Sequence, residues 1–266
     1  MTFKKPKMIQ VKNTDKESNF IIICDHASNK IPSKFNNLGL GQDILNTHIA
    51  YDIGSKEVAI KLSNILDCPL VMTDFSRLLI DPNRGIDDPT LIMKISDNSK
   101  IEGNIGIKNF QESDEKNDRI KNFYDLYHNK ISELINSFEK KNKNPSIISI
   151  HSFTPVWKNK KRDIDIGILW DSDDRLPKIF FDYFKKSHKN LIIGNNKPYS
   201  GRLKNDTLYK HATNKGLSNI LIEIRQDLII EKKGQKFFAN LISKPLLSNK
   251  NNPILFEKSF YPSLAK

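Results

Sequence analysis

Short apolar runs alternate with longer stretches of helical spacing along most of this 266-residue chain, and that alternation constrains its fold more than any other feature. The runs at residues 19–24 (NFIIIC), 69–73 (PLVMT), 146–150 (SIISI), 164–170 (IDIGILW) and 217–224 (LSNILIEI) are too short for buried helices. They are continuous enough for strands covered on both faces. Residues 191–194 add a shorter one. Between them, residues 47–66, 117–138, 176–184 and 235–246 read as helices. The clearest, 117–138, places Ile120, Phe123, Tyr127, Ile131, Leu134 and Phe138 along one face. The order predicts one α/β domain over residues 1–266, a three-layer α/β/α stack around a mixed, mostly parallel sheet. Residues 82–110 have no clear period and read as a long loop or subdomain beside whatever site the chain carries.

Composition removes several function classes. No stretch approaches the ~18 consecutive apolar residues of a membrane span, and the basic, polar first twenty residues lack the apolar core of a secretory signal. Cys24 and Cys68 have no nearby Cys or His at metal-site spacing, which suits a reduced, cytoplasmic setting. The net charge of +12 raises the question of nucleic acid, but lysine supplies 36 of the 43 basic residues. Arginine, the usual residue for bidentate recognition, appears seven times. The lysine runs at 140–141 and 160–161 read as solvated faces. Neither a nucleic-acid nor a membrane partner is expected.

Unusual polar residues gather where the strands end. Asp25, His26, Ala27, Ser28 and Asn29 follow the first strand. Ser76, Arg77 and the run Asp81-Pro82-Asn83-Arg84 come shortly after the second, and His151-Ser152 follow the third. Glu223 and Arg225 close the strand at 217–224. In open α/β sheets, ligands bind outside the carboxyl ends of the strands, so these segments should converge on one crevice.

Among the six histidines, His128 and His188 read as exposed helix positions, and His48 as capping or lining a helix start. His26 and His151 differ, because each directly follows a buried strand, which fixes a ring as a metal ligand requires. A catalytic zinc needs about three protein ligands and one open position. The third is open between Asn29, three residues after His26, and Asp52, a carboxylate that could instead orient a histidine. Asp81 is a further residue able to hold a histidine through its second ring nitrogen. Arg77, Arg84, Arg202 and Arg225 fall in the site segments, and Asn83-Arg84 suit a substrate carboxylate. Glu223, inside an apolar run, is either paired with Arg225 or a base whose pKa burial raises toward neutrality.

The stretches CDHASNKIP (24–32), AYDIG (50–54), SRLLIDPNR (76–84), HSFTP (151–155), KPYSG (197–201) and LIEIRQDLI (221–229) together resemble the N-formylglutamate amidohydrolase family. Their order is also similar to that of zinc carboxypeptidases, with Asn29 where those enzymes carry glutamate. The resemblance implies a zinc-carboxypeptidase-like hydrolase fold and one Zn²⁺ per chain. It implies metal ligation by His26, His151 and a third residue, with Glu223 moving protons and Arg77 stabilising the oxyanion. It further implies that Asn83 and Arg84, with Tyr199, His211 and Arg225 nearby, contact a small N-acyl amino acid carrying a carboxylate. The reaction implied is deformylation of N-formyl-L-glutamate or a similar compound. A metallopeptidase or deacylase with another N-acyl substrate, and an inactive metal-binding relative, are the alternatives.

Overall fold

The computed structural model describes residues 8–107 and 114–265. Residues 1–7, within the basic N-terminus, and residues 108–110, at the end of the aperiodic stretch, lie outside the described residues. A seven-stranded mixed sheet organises the chain: β1 (Ile9–Lys12), β2 (Phe20–Cys24), β3 (Leu70–Thr73), β4 (Ser146–Phe153), β5 (Ile166–Leu169), β6 (Ile193–Asn195) and β7 (Asn219–Arg225). Their spatial order is β1-β3-β2-β4-β7-β5-β6. The central four, β3, β2, β4 and β7, run parallel. β1 is antiparallel to β3, and β5 is antiparallel to β7 with β6 parallel to it. The strand at Ile9–Lys12 is absent from the sequence expectation, because a four-residue, half-buried edge strand carries little periodic signal.

Alternation within the central strands sorts the core. Ile148, Ile150, Ile220, Ile222 and Ile224 point to one face, where helices α1 (Ser55–Leu66), α3 (Arg175–Ser187) and α5 (Lys232–Ser248) cover them. Ile21, Ile23, Ile147 and Leu221 point to the other, under α2 (Asp125–Glu139) and the short α4 (Thr207–His211). Removing an apolar side chain of this size from water contributes ~1.5–3 kcal/mol, so the two apolar faces fix the sheet between its helical layers. The segment before α2 begins at Asp114 and passes through a π-helical turn, Ile120–Tyr124. Phe123 and Tyr124 then pack with a third cluster, formed by residues 38–107, while Tyr127 and Ile131 pack on the sheet. That third cluster occupies much of the stretch without sequence period. It is built of turns, the short helical turn Gln42–Leu45 and one small hairpin, Ile95–Ser96 with Ser99–Lys100.

Three departures from the sequence reading bear on the site. The helix expected over 47–66 starts only at Ser55. Residues before it fold into turns held by long-range bonds, Asp52 N–H to the His26 carbonyl (3.0 Å) and Arg77 N–H to the Ala50 carbonyl (3.2 Å). Gly54 makes the corner with φ +79°, where an added Cβ would lie 2.5 Å from the Ile229 carbonyl oxygen. The third apolar run continues as strand through Phe153, so His151 and Ser152 lie within β4. His128 is buried: its face of α2 packs against α4, and its Nδ1 lies 2.8 Å from His211 Nε2. Among the described residues no helix is long and apolar enough to cross a membrane.

Candidate metal centre and substrate cavity

Two neighbouring parallel strands bring the first pair of groups together. β4 and β7 pair in register, with His151 opposite Glu223. Both side chains project to the face that carries Ile147 and Leu221. Across the other edge of β4, β2 ends at Cys24, and the following Asp25 and His26 complete the crevice. The turn before α1 delivers Asp52 from the opposite side. His26, Asp52 and His151 each offer one ligand atom, all within 4.8 Å of one another, and all three are buried.

A carboxylate lies behind each imidazole. His26 Nε2 is 2.7 Å from Asp81 Oδ1, and His151 Nε2 is 2.9 Å from Asp25 Oδ2. Each far nitrogen therefore donates its proton outward. The Nδ1 atoms are left facing Asp52 Oδ2, at 3.4 Å for His26 and 2.8 Å for His151. Fixing the tautomer in this way is what a pair of ligating imidazoles requires. Asp25 is itself held by the hydroxyls of Ser149 (2.9 Å) and Thr207 (2.5 Å). Asp81 accepts from Arg77 Nη2 (2.7 Å) and from the Asn83 amide (2.9 Å). Burial opposes ionisation of these carboxyls, yet the neighbouring imidazoles and, for Asp81, Arg77 outweigh it. Asp25 stays at about 2, and Asp52 and Asp81 lie well below the usual carboxylate range. Two imidazoles and a carboxylate, with further carboxylates behind the rings, form a donor set that fits a zinc ion.

Glu223 differs from the other carboxylates of the crevice. It is buried, its Oε2 has no hydrogen-bond partner among the described residues, and it lines the same cavity as the cluster. Burial pushes its carboxyl up to about 7, with Asp52 adding to the shift against the opposing pull of His151, His26 and Arg77. Arg77 Nε is likewise buried without a partner. The cavity, about 290 Å³, is also lined by Asn83, Arg84, Tyr199 and Asp206. Arg84 Nη1 donates to the Asn83 carbonyl (2.9 Å), and Asn83 Oδ1 accepts from the Thr207 amide (3.1 Å). Gly167, opposite Glu223 on β5, admits the segment that carries Tyr199. A Cβ there would lie 2.3 Å from the Lys197 carbonyl oxygen.

Four residues singled out in the sequence sit elsewhere, among them Arg202, which is exposed and outside the cavity wall. Asn29 turns its amide to the Leu45 carbonyl (2.9 Å) and Asn46 (3.1 Å) and does not line the cavity. Asp52, brought in by the turn at 47–54, occupies the place in the cluster that spacing alone offered to Asn29. His211 is packed behind the site against His128 and outside the cavity wall. Arg225 pairs with Asp165 (3.0 Å) and Asp227 (2.8 Å), also outside the cavity. Sequence reasoning passed over Asp25, Ser149, Thr207 and Asp206 as site residues. Asp25 had a signal, its position one residue before His26, whereas Thr207 and Asp206 reach the site only through the placement of α4.

The model of the N-formylglutamate amidohydrolase family matches residues 18–230. Among solved structures, a gene product from Agrobacterium tumefaciens is 32% identical, with 92% of this chain and 97% of that chain covered at a TM-score of 0.83. The N-formylglutamate amidohydrolase from Ralstonia eutropha JMP134 is similar in fold, with a TM-score of 0.59 and 17% identity over 91% of this chain and 96% of that one. No functionally curated protein matches the chain significantly.

Proposed function

The chain belongs to the N-formylglutamate amidohydrolase family, and on that premise we propose that it hydrolyses the amide of N-formyl-L-glutamate, or of a closely similar N-acyl amino acid, with the help of one bound zinc ion. The observation that carries this reading is the unpartnered, buried Glu223 carboxylate lining one cavity with the His26–Asp52–His151 cluster.

In this proposal His26, Asp52 and His151 hold the metal, and Asp81 and Asp25 orient the two imidazoles. Zinc bound there would supply Lewis-acid chemistry, activating water and polarising the acyl carbonyl. Glu223 takes a proton from the attacking water, whose oxygen adds to the formyl carbon. Arg77 donates to the oxygen that becomes negative. Glu223 then passes its proton to the departing nitrogen, the C–N bond breaks, and formate and the free amino acid leave. A carboxyl with a pKa near 7 suits both halves of that transfer. Asn83 and Arg84 grip a substrate carboxylate and set the register of the amide.

The test is metal analysis of the purified protein, combined with a deformylation assay on N-formyl-L-glutamate before and after chelation. About one zinc per chain and activity that disappears on chelation and returns with zinc are expected. Activity indifferent to complete metal removal would overturn the metal's role, and absence of turnover in the zinc-loaded protein would overturn the substrate.

A further inference from the structure

Of the seven arginines, five are paired with a carboxylate of the protein: Arg77 with Asp81, Arg84 with Asp88, Arg119 with Glu115, Arg175 with Asp173 and Arg225 with Asp165. Arg202 is exposed and lies outside the cavity wall. Arg162 has no carboxylate partner among the described residues, yet its guanidinium is held firmly. Its carbon lies 5.0 Å from the ring centroid of Tyr199, 5.4 Å from that of Trp157 and 5.6 Å from that of Phe153. All three rings line the cavity, and Arg162 packs against them without itself belonging to the wall. Nη1 donates to Tyr199 Oη (2.9 Å) and to the Thr154 carbonyl (3.5 Å). Nε and Nη2 make no hydrogen bond to any described residue.

The backbone beneath it is anchored as well. Arg162 follows a hairpin, Val156–Trp157 paired with Lys160–Lys161, and its amide donates to the Pro155 carbonyl (2.9 Å). Arg225 Nη1 holds the carbonyls of Arg162, Asp163 and Ile164, each at 3.3 Å. A guanidinium fixed on one edge by aromatic faces and a hydroxyl, with the Nε–Nη2 edge left unused, is a preorganised fork for a carboxylate. Stacking on rings supplies part of the stabilisation that an ion pair gives the other arginines, so the charge remains available for a ligand.

We propose that Arg162 is a specificity-determining residue that binds a second anionic group on the substrate, distant from the amide that is cleaved. This rests on the hydrolase reading above and narrows it. The cavity would then take a dianionic N-acyl amino acid, one carboxylate at Asn83–Arg84 and the other at the free edge of Arg162. Asn83 and Arg84 belong to the cavity wall, whereas Arg162 packs against three of its rings from a separate segment, so discrimination at one is separable from binding at the other.

The experiment compares zinc-loaded wild type, Arg162→Met and Arg162→Lys on N-formyl-L-glutamate and on its neutral-side-chain counterpart N-formyl-L-glutamine. Methionine keeps an unbranched stem between the rings and removes the charge. Arg162→Met should lower kcat/KM for the glutamate compound roughly 10- to 100-fold, chiefly through KM, and leave the glutamine compound within about twofold. Arg162→Lys, with the charge but no fork, should fall between. Equal losses on both substrates would mark Arg162 as a clip for the hairpin, and no loss on either would remove it from recognition; both outcomes overturn the proposal. A wild type that hydrolyses neither compound refutes the proposed reaction alone, and calorimetry with glutarate then reads Arg162 directly. Binding to wild type weakened roughly tenfold or more in Arg162→Lys and Arg162→Met sustains the assignment, and equal or undetectable binding in all three proteins overturns it.

Discussion

His151 and Glu223 stand side by side, residue opposite residue, on two adjacent parallel strands. Their spacing is therefore set by the hydrogen-bond ladder of the sheet rather than by a loop. In the proposed reaction these two supply a ligand and the base, and groups mounted on one ladder gain preorganisation at low cost.

Glu223→Gln should retain the fold and the metal while lowering turnover ~10²-fold or more. The pH dependence carries a sign. The carboxylate must be ionised to take a proton, and its free-protein pKa lies at about 7. Activity should therefore fall as the pH drops through that value, or through a lower one once a cation is bound beside it. A kcat/KM profile that keeps the same acidic limb in Glu223→Gln would assign that limb to another group.

Metal content separates Asp52 from Asn29. Asp52→Ala should abolish stoichiometric zinc binding, whereas Asn29→Ala should leave it intact, because the Asn29 amide is engaged with Leu45 and Asn46. Asp81→Asn, acting on the metal through His26 and not as a ligand, should weaken zinc affinity about 10- to 100-fold. Titration with a chromogenic chelator reads all three, and loss of zinc in Asn29→Ala would reverse the assignment.

Asp206 gives a prediction about stability. It caps α4, accepting from the Tyr209 amide (2.7 Å). Burial pushes its carboxyl up to about 7, despite that hydrogen bond and Arg84. A carboxyl raised in the folded state binds more protons there than in the unfolded chain. Stability consequently declines as pH rises from the ordinary carboxylate value, near 4, to about 7. Asn keeps the capping oxygen without the charge. Asp206→Asn should stabilise the protein at pH 8 by about 1 kcal/mol or more and by much less at pH 5. Denaturant unfolding at the two pH values checks it; equal effects at both would show that Asp206 titrates normally.

Much of the fold is legible in the residues themselves. Strands buried on both faces read as nearly pure Ile, Leu and Val, as in β7, where Glu223 and the closing Arg225 are the only charged residues in NILIEIR. The same purity makes a charged exception conspicuous, and it is what singles out Glu223. His26 and His151 stand out for the same reason. The strand extension through Phe153 is less legible, since His151 and Ser152 break the apolar run yet still pair with β7.

What the sequence determined by itself was the layered α/β arrangement, the identity of the two histidines and the glutamate, and the convergence of strand ends, because periodicity and burial are local properties of the chain. Tertiary structure alone placed Asp52 rather than Asn29 beside the two histidines, buried His128, sent Arg225 away from the cavity and left Arg162 without a carboxylate partner among the described residues. Each of these depends on which groups meet across sequence separations of 16 to 99 residues. Such meetings are fixed by turns like the one at Gly54, whose geometry comes from packing against distant backbone rather than from neighbours in sequence.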